Sequence, residues 1–173
     1  MHAVNNGPSF RLNDYEGNNL NHVNSNLDRF IEAGFPYARN HDAAAFLGYG
    51  GPHTVDIHNI FKNFDADEND PANYDFTLSD YYIEKIKECG TDILYRLGSS
   101  MEGGDFRFNN RPPKDFAKWA RICEHIIRHY TEGWADGFTH DMPYWEIWNE
   151  PDTNKDDDTN KMNWGGTKAQ FFD

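Results

Sequence analysis

Residues 144–152 read Tyr-Trp-Glu-Ile-Trp-Asn-Glu-Pro-Asp, a run in which Tyr144, Trp145, Ile147 and Trp148 favour a strand and Asn149 and Glu150 stand at its end. Pro151 removes a backbone donor and stops the strand there. An acid beside two indoles, Trp145 and Trp148, is expected to be partly desolvated, which disfavours its charged form and suits it to hold and release a proton near neutral pH. A lone Glu-Pro is an ordinary strand end; nine residues of this aromatic density point to general acid chemistry. The bland reading is a strand that ends on a solvated Glu. Glu146 is in phase with Glu150 along the strand, so it is expected to be a buried acid in need of a cation, with Arg39 and Arg96 as candidates.

Other polar groups fall near strand ends. Arg39 and His41 close the run Tyr37-Ala38-Arg39, and each has a plain structural alternative, an ion pair for Arg39 and a satisfied imidazole for His41. His53 and His58 bracket Asp56, a trio that could touch a bound molecule or simply pin its loop. Trp148 offers a flat ring face with a polar handle. His125 and His129 have the i,i+4 spacing of metal ligands, but the glutamate of a metalloprotease motif is missing between them, and they are expected to face solvent. No metal site is expected. The series Asp65, Asp67, Asn69 resembles the start of a calcium loop, yet Asp70 occupies the glycine position and Phe76 the bidentate-acid position, so a solvated acidic loop is the expectation.

The elements that must position these groups follow a repeated grammar. Leu20, Val23, Leu27, Phe30 and Ile31 fall at helical spacing over 19–33, Gly34 stops that helix, and Tyr37-Ala38-Arg39 reads as a strand. Leu78, Tyr82, Ile83, Ile86 and Cys89 repeat the pattern, Gly90 ends it, and Asp92 to Leu97 is the next strand. After Pro112-Pro113, the residues Phe116, Trp119, Ala120, Cys123, Ile126, Ile127 and Tyr130 line one face of a third helix, which leads to the strand at Tyr144. With a first strand at Ala3 to Asn5 and a fourth helix opening at Thr167, the chain reads as four βα units of parallel sheet. Half of a (β/α)8 barrel and half of an open doubly wound sheet both fit. The first turn, Asn5-Asn6-Gly7-Pro8, lacks the glycine fingerprint of a dinucleotide fold. Residues 43–75 form a long polar insertion, read as a mobile wall.

A net charge of −13 repels polyanions, which argues against nucleic acid or an anionic membrane surface as partner. An aromatic content of 16% suits sugar faces, although core packing uses such rings too. Cys89 and Cys123 sit on apolar helical stripes, so neither a disulfide framework nor a zinc site is expected, and no cofactor motif is present. The N-terminus lacks a basic stretch followed by an apolar one, which leaves compartment open between cytoplasmic and secreted.

The Trp-Asn-Glu-Pro block resembles the acid/base motif of the clan A retaining glycoside hydrolases. In order along the chain, 3–8 (Ala-Val-Asn-Asn-Gly-Pro), 38–42 (Ala-Arg-Asn-His-Asp), 74–77 (Tyr-Asp-Phe-Thr) and 112–119 extend the resemblance to glycoside hydrolase family 39, which holds β-xylosidases and α-iduronidase-type enzymes. The resemblance implies a TIM (β/α)8 barrel, of which residues 1–173 hold the first four units and stop in the fourth helix, since a whole barrel takes about 250 residues. It implies Glu150 as general acid/base, Asn149 on the sugar 2-hydroxyl, and Arg39 and His41 shaping the sugar subsite. It also implies an oligo- or polysaccharide substrate and the remainder of the barrel as partner. Asn40 departs from the family's small or Cys residue before the histidine. The attacking Glu is expected beyond the C-terminus, because no Glu follows Glu150; Glu102, Asp42 and Asp56 are weaker substitutes, each read first as a wall residue or solvated loop charge. A non-catalytic carbohydrate-binding or structural barrel fragment is the alternative.

Overall fold

A computed structural model describes residues 3–8, 26–40, 53–100, 109–153 and 163–172. Four strands, β1 (Ala3–Asn5), β2 (Tyr37–Arg39), β3 (Asp92–Leu97) and β4 (Tyr144–Ile147), form one parallel sheet in chain order. Registers pair Asn5 with Arg39, Arg39 with Leu94, and Arg96 with Glu146. Helices α1 (Leu27–Ala33), α2 (Ile57–Ile60), α3 (Thr77–Glu88), α4 (Phe116–Glu132) and α5 (Lys168–Phe172) complete the described elements, with 3-10 turns at Pro71–Asn73 and Trp134–Asp136.

The strand period of two divides the sheet's side chains between two faces. Ala38, Ile93, Tyr95 and Leu97 turn to the helical layer, where Ile83, Ile86, Ile122, Ile126 and Tyr130 close the core. Tyr37, Arg39, Leu94, Arg96, Tyr144 and Glu146 alternate with these and take the opposite face. Tyr144 and Ile147, on the edge strand, remain 41% and 64% exposed. Gly34 (φ 62°) and Gly90 (φ 74°) end their helices in the left-handed region, as their spacing predicts. At Gly7 the constraint is space: a Cβ would lie 2.4 Å from Ile86 Cγ1, and the Gly7 N–H donates to Tyr82 Oη at 2.8 Å, so the turn after β1 rests directly on α3.

Asp115 caps α4 by accepting from the Lys118 N–H at 2.9 Å. Thr167 and Gln170 form a reciprocal capping box that opens α5: the Gln170 N–H donates to Thr167 Oγ1 and the Thr167 N–H to Gln170 Oε1.

Two expectations need correction. The insertion over 43–75 is packed where it is described: Val55, Asp56, Ile57, Ile60 and Phe61 are buried, because the apolar residues there complete the core beside β3. In its acidic run Asp65, Asp67 and Asp70 are exposed as expected, but Glu68 is buried and paired with bases of α4. Glu68 pairs with Arg121 at 2.6 Å and Lys118 at 3.2 Å, Asp65 pairs with Lys114, and Lys118 Nζ donates to the Ala66 carbonyl. A hydrogen bond from its own backbone N–H, reinforced by Arg121, brings the Glu68 carboxyl down to about 2.

The second correction concerns His125 and His129, which are buried instead of facing water, His129 against α3 and His125 against the rings of Tyr74 and Trp134. His129 bonds Asp80 Oδ1 through Nε2 and the Trp134 carbonyl through Nδ1, both at 2.9 Å, and stacks on Phe76 with ring centroids 3.5 Å apart. His125 stacks on Trp134 and lies 3.3 Å from Tyr74 Oη. The helix is wrapped by the segment that follows it, which makes an outer face an inner one. His129→Ala removes two hydrogen bonds and opens a void, so it should cost about 2–4 kcal/mol in urea unfolding. A loss below about 0.5 kcal/mol, the scale of a surface substitution, would contradict this placement.

Candidate active site

Arg39, Glu146 and Asn149 meet Asn5 at the C-terminal ends of β1, β2 and β4. Arg39 is the centre. Its Nε and Nη2 donate to the two carboxylate oxygens of Glu146 at 2.5 and 2.7 Å, a bidentate pair. Nη2 also donates to Asn149 Oδ1 at 2.7 Å, and Nη1 reaches Asn5 Oδ1 at 3.4 Å. Because Arg39 and Glu146 stand on the same face two strands apart, one guanidinium spans the sheet between them. Glu146 is thus the partnered acid its phase suggests. Arg39 holds Asn149 by its carbonyl oxygen, which turns the amide nitrogen of that side chain to donate elsewhere.

Regular strand geometry ends at Ile147. Trp148 (φ 66°) and Glu150 (φ 42°) both adopt left-handed backbone, a costly conformation for such residues that persists only where surrounding contacts impose it. Those contacts come from downstream. Trp148 Nε1 donates to the Asn163 carbonyl at 2.6 Å, its ring meets Trp164 edge-on at 5.2 Å, and Asn163 Nδ2 donates to the Glu150 carbonyl at 3.3 Å. Gly98 (φ 151°) makes room for the indole, since a Cβ there would stand 3.1 Å from Trp148 Cε3. Trp148 is buried, while Glu150 is exposed and its carboxylate accepts only from Thr153 Oγ1, at 3.3 Å, among the described residues. The expected desolvation of Glu150 between two indoles does not occur in this chain, because Trp145 points to the helical layer, stacked on Tyr95, and Trp148 folds under the turn.

Asp56, part of a trio that could touch a bound molecule or pin its loop, is buried and does the latter. Its Oδ2 accepts the Ser100 N–H at 2.8 Å and its Oδ1 accepts from Ser100 Oγ at 3.0 Å and from Arg96 Nη2 at 3.4 Å. Arg96 in turn donates to the Ser99 carbonyl and Ser100 Oγ, both at 3.0 Å. This cluster fastens the segment before α2 to the loop after β3. Burial pushes the Asp56 carboxyl up, outweighing Arg96 and the Ser100 N–H. Asn40, also buried, accepts the Arg96 backbone N–H at 2.6 Å, so the residue that departs from the family pattern ties β2 to β3. His58 is exposed, with Nδ1 3.1 Å from Ser99 Oγ. It lines a cavity of about 300 Å³ together with Ser99, Arg111, Trp119 and Trp148. His41, Asp42 and Glu102 lie outside the described residues.

Asn163, Trp164, Gly98 and Ser100 belong to the site's support and were not singled out by sequence reasoning. Only the aromatic-glycine run at 164–166 carried a signal, and it gave no indication of which strand end it would clasp.

The chain is a parallel sheet with an arginine, an amide and an acid grouped at its C-terminal mouth, and its likeness to a solved glucosidase supports a glycosidase-like fold. The crystal structure of a glucosidase from Croceicoccus marinus is similar to the chain with a TM-score of 0.75 and 25% identity, over 99% of this chain and 32% of that one. The chain therefore spans about a third of that glucosidase's length. No family model matches the sequence, and no curated protein does.

Proposed function

We propose that this chain forms the first half of a TIM-barrel catalytic domain of a retaining O-glycoside hydrolase most like the β-xylosidases of glycoside hydrolase family 39. Glu150 is its general acid/base. The observation that carries the reading is the Glu146–Arg39–Asn149 chain of hydrogen bonds, which fixes the residue before Glu150 with its amide nitrogen free to donate. An amide held in this way can bond a sugar hydroxyl without adding charge, and the adjoining carboxyl can protonate the departing oxygen. The likeness to a glucosidase over nearly the whole chain supports the same class of reaction.

In this reading the carboxyl protonates the leaving group, the missing nucleophile attacks the anomeric carbon, and Glu150 then takes a proton from water as the glycosyl-enzyme is hydrolysed. The second carboxylate comes from the remainder of the barrel, and the 173-residue chain alone is inactive. Two displacements retain configuration. Proton NMR of β-xyloside or β-glucoside hydrolysis by the complete barrel should show the β-anomer of the sugar forming first. Initial release of the α-anomer would exclude the double displacement. A non-catalytic barrel fragment would release neither.

A further inference from the structure

The cavity beside Trp148 has a composition at odds with the chain that forms it. The protein holds 29 Asp and Glu against 16 Lys and Arg, yet among the described residues no carboxylate lines this cavity. His58, Lys62, Arg111 and Lys114 supply its polar rim, and Phe61, Phe64, Trp119 and Trp148 much of its wall. Lys62 and Lys114 hold exposed ion pairs with Asp75 and Asp65, which are weak enough to be exchanged for a ligand anion. Arg111 is exposed and has no partner among the described residues.

Sugars bring many hydroxyl donors and need acceptors to receive them. This wall offers few neutral acceptors, chiefly Ser99 and Asn109, beside its cations and rings. A flat apolar ring that bears one anionic group meets both features, with the ring against indole and phenyl faces and the anion on a guanidinium fork. Ser99 and Trp148 follow directly on β3 and β4, so the cavity opens at the C-terminal ends of these strands, and β4 is the strand whose end carries Glu150.

We infer that the cavity formed by Arg111, Lys114, Trp119 and Trp148 is a leaving-group subsite for an aromatic carboxylate, so that the substrates are glycosides of phenolic acids. The inference rests on the glycosidase reading for its catalytic meaning, but binding of the free acid needs no turnover and can be measured on the 173-residue chain. Titration with 4-hydroxybenzoate at low salt, followed by tryptophan fluorescence and confirmed by calorimetry, should give an affinity about tenfold higher than for neutral 4-hydroxybenzyl alcohol, the scale of one charge-assisted hydrogen bond. Arg111→Ala should remove most of that preference and Arg111→Lys should restore part of it, with far-UV circular dichroism unchanged because the side chain is exposed. Absence of binding, equal affinity for the neutral analogue, or an Arg111→Ala protein that keeps the full preference overturns the inference. Equal binding of acetate or glucuronate overturns it as well, since the site would then read charge without the ring. Each of these failures leaves the anomeric test of the glycosidase reading untouched.

Discussion

In a protein that carries the complete barrel, Glu150→Gln should slow hydrolysis of glycosides with poor leaving groups by about 10²–10⁴-fold, while activated aryl glycosides keep most of their bond-cleavage rate. Only the poor leaving group needs a proton as its bond breaks. The second half of the reaction loses its base in the same variant, so the glycosyl-enzyme should accumulate on activated substrates, and azide, which attacks without general-base help, should restore turnover and yield a glycosyl azide. Glu146→Gln is the informative companion. It breaks the bidentate pair with Arg39 and releases Asn149, so it should lower folded yield and raise KM on both substrate types alike. Equal loss on good and poor leaving groups for Glu150→Gln, with no azide rescue, would remove Glu150 from the acid/base role.

Arg96→Met should destabilise the chain by about 3–5 kcal/mol at neutral pH, the cost of stripping a buried carboxylate of its cation. The Arg96 and Asp56 side chains are 1% and 2% exposed, so water cannot replace the lost partner. Burial already holds the Asp56 carboxyl above its usual value, and loss of the guanidinium raises it further. A carboxyl with a folded-state pKa above its unfolded value of about 3.9 binds its proton more tightly when folded. Its favourable contribution is complete below the unfolded value and is lost as pH rises through the folded one. The penalty of Arg96→Met relative to the parent should therefore grow as pH rises from about 4 through that folded value and level off above it. Asp56→Asn keeps an acceptor for the Ser100 N–H but leaves the buried Arg96 guanidinium without its carboxylate, so it should destabilise as well; with no titrating group left at position 56, its penalty should not rise with pH as that of Arg96→Met does. Urea unfolding at several pH values checks both points; a penalty for Arg96→Met that is the same at acid and neutral pH would rule out a stranded carboxylate as its cause.

Local signals were enough for the elements that carry the site. The period of two at Asp92 to Leu97, the apolar stripe along Phe116 to Tyr130 and the glycine stops at Gly34 and Gly90 depend on neighbours within one or two turns, and the structure keeps all of them. The end of β4 was legible only in part: Pro151 marks a stop, but the left-handed backbone at Trp148 and Glu150 is imposed by Asn163 and Trp164, which no local rule connects to residue 148.

By itself the sequence determined the four βα repeats, the Trp-Asn-Glu-Pro terminus and the need of Glu146 for a cation, because covalent order and side-chain period decide such things before any tertiary contact forms. Tertiary structure alone decided the partners. It chose Arg39 over Arg96 for Glu146, sent Arg96 to a buried Asp56, and turned His125 and His129 from solvent into the interior. It also left Glu150 open to solvent, since both flanking indoles had better places to bury. The physical reason is common to all four. An ionisable or aromatic side chain has several partners within reach along the sequence, and which one it takes depends on the burial and hydrogen-bond geometry that strands and helices far apart in the chain create when they meet.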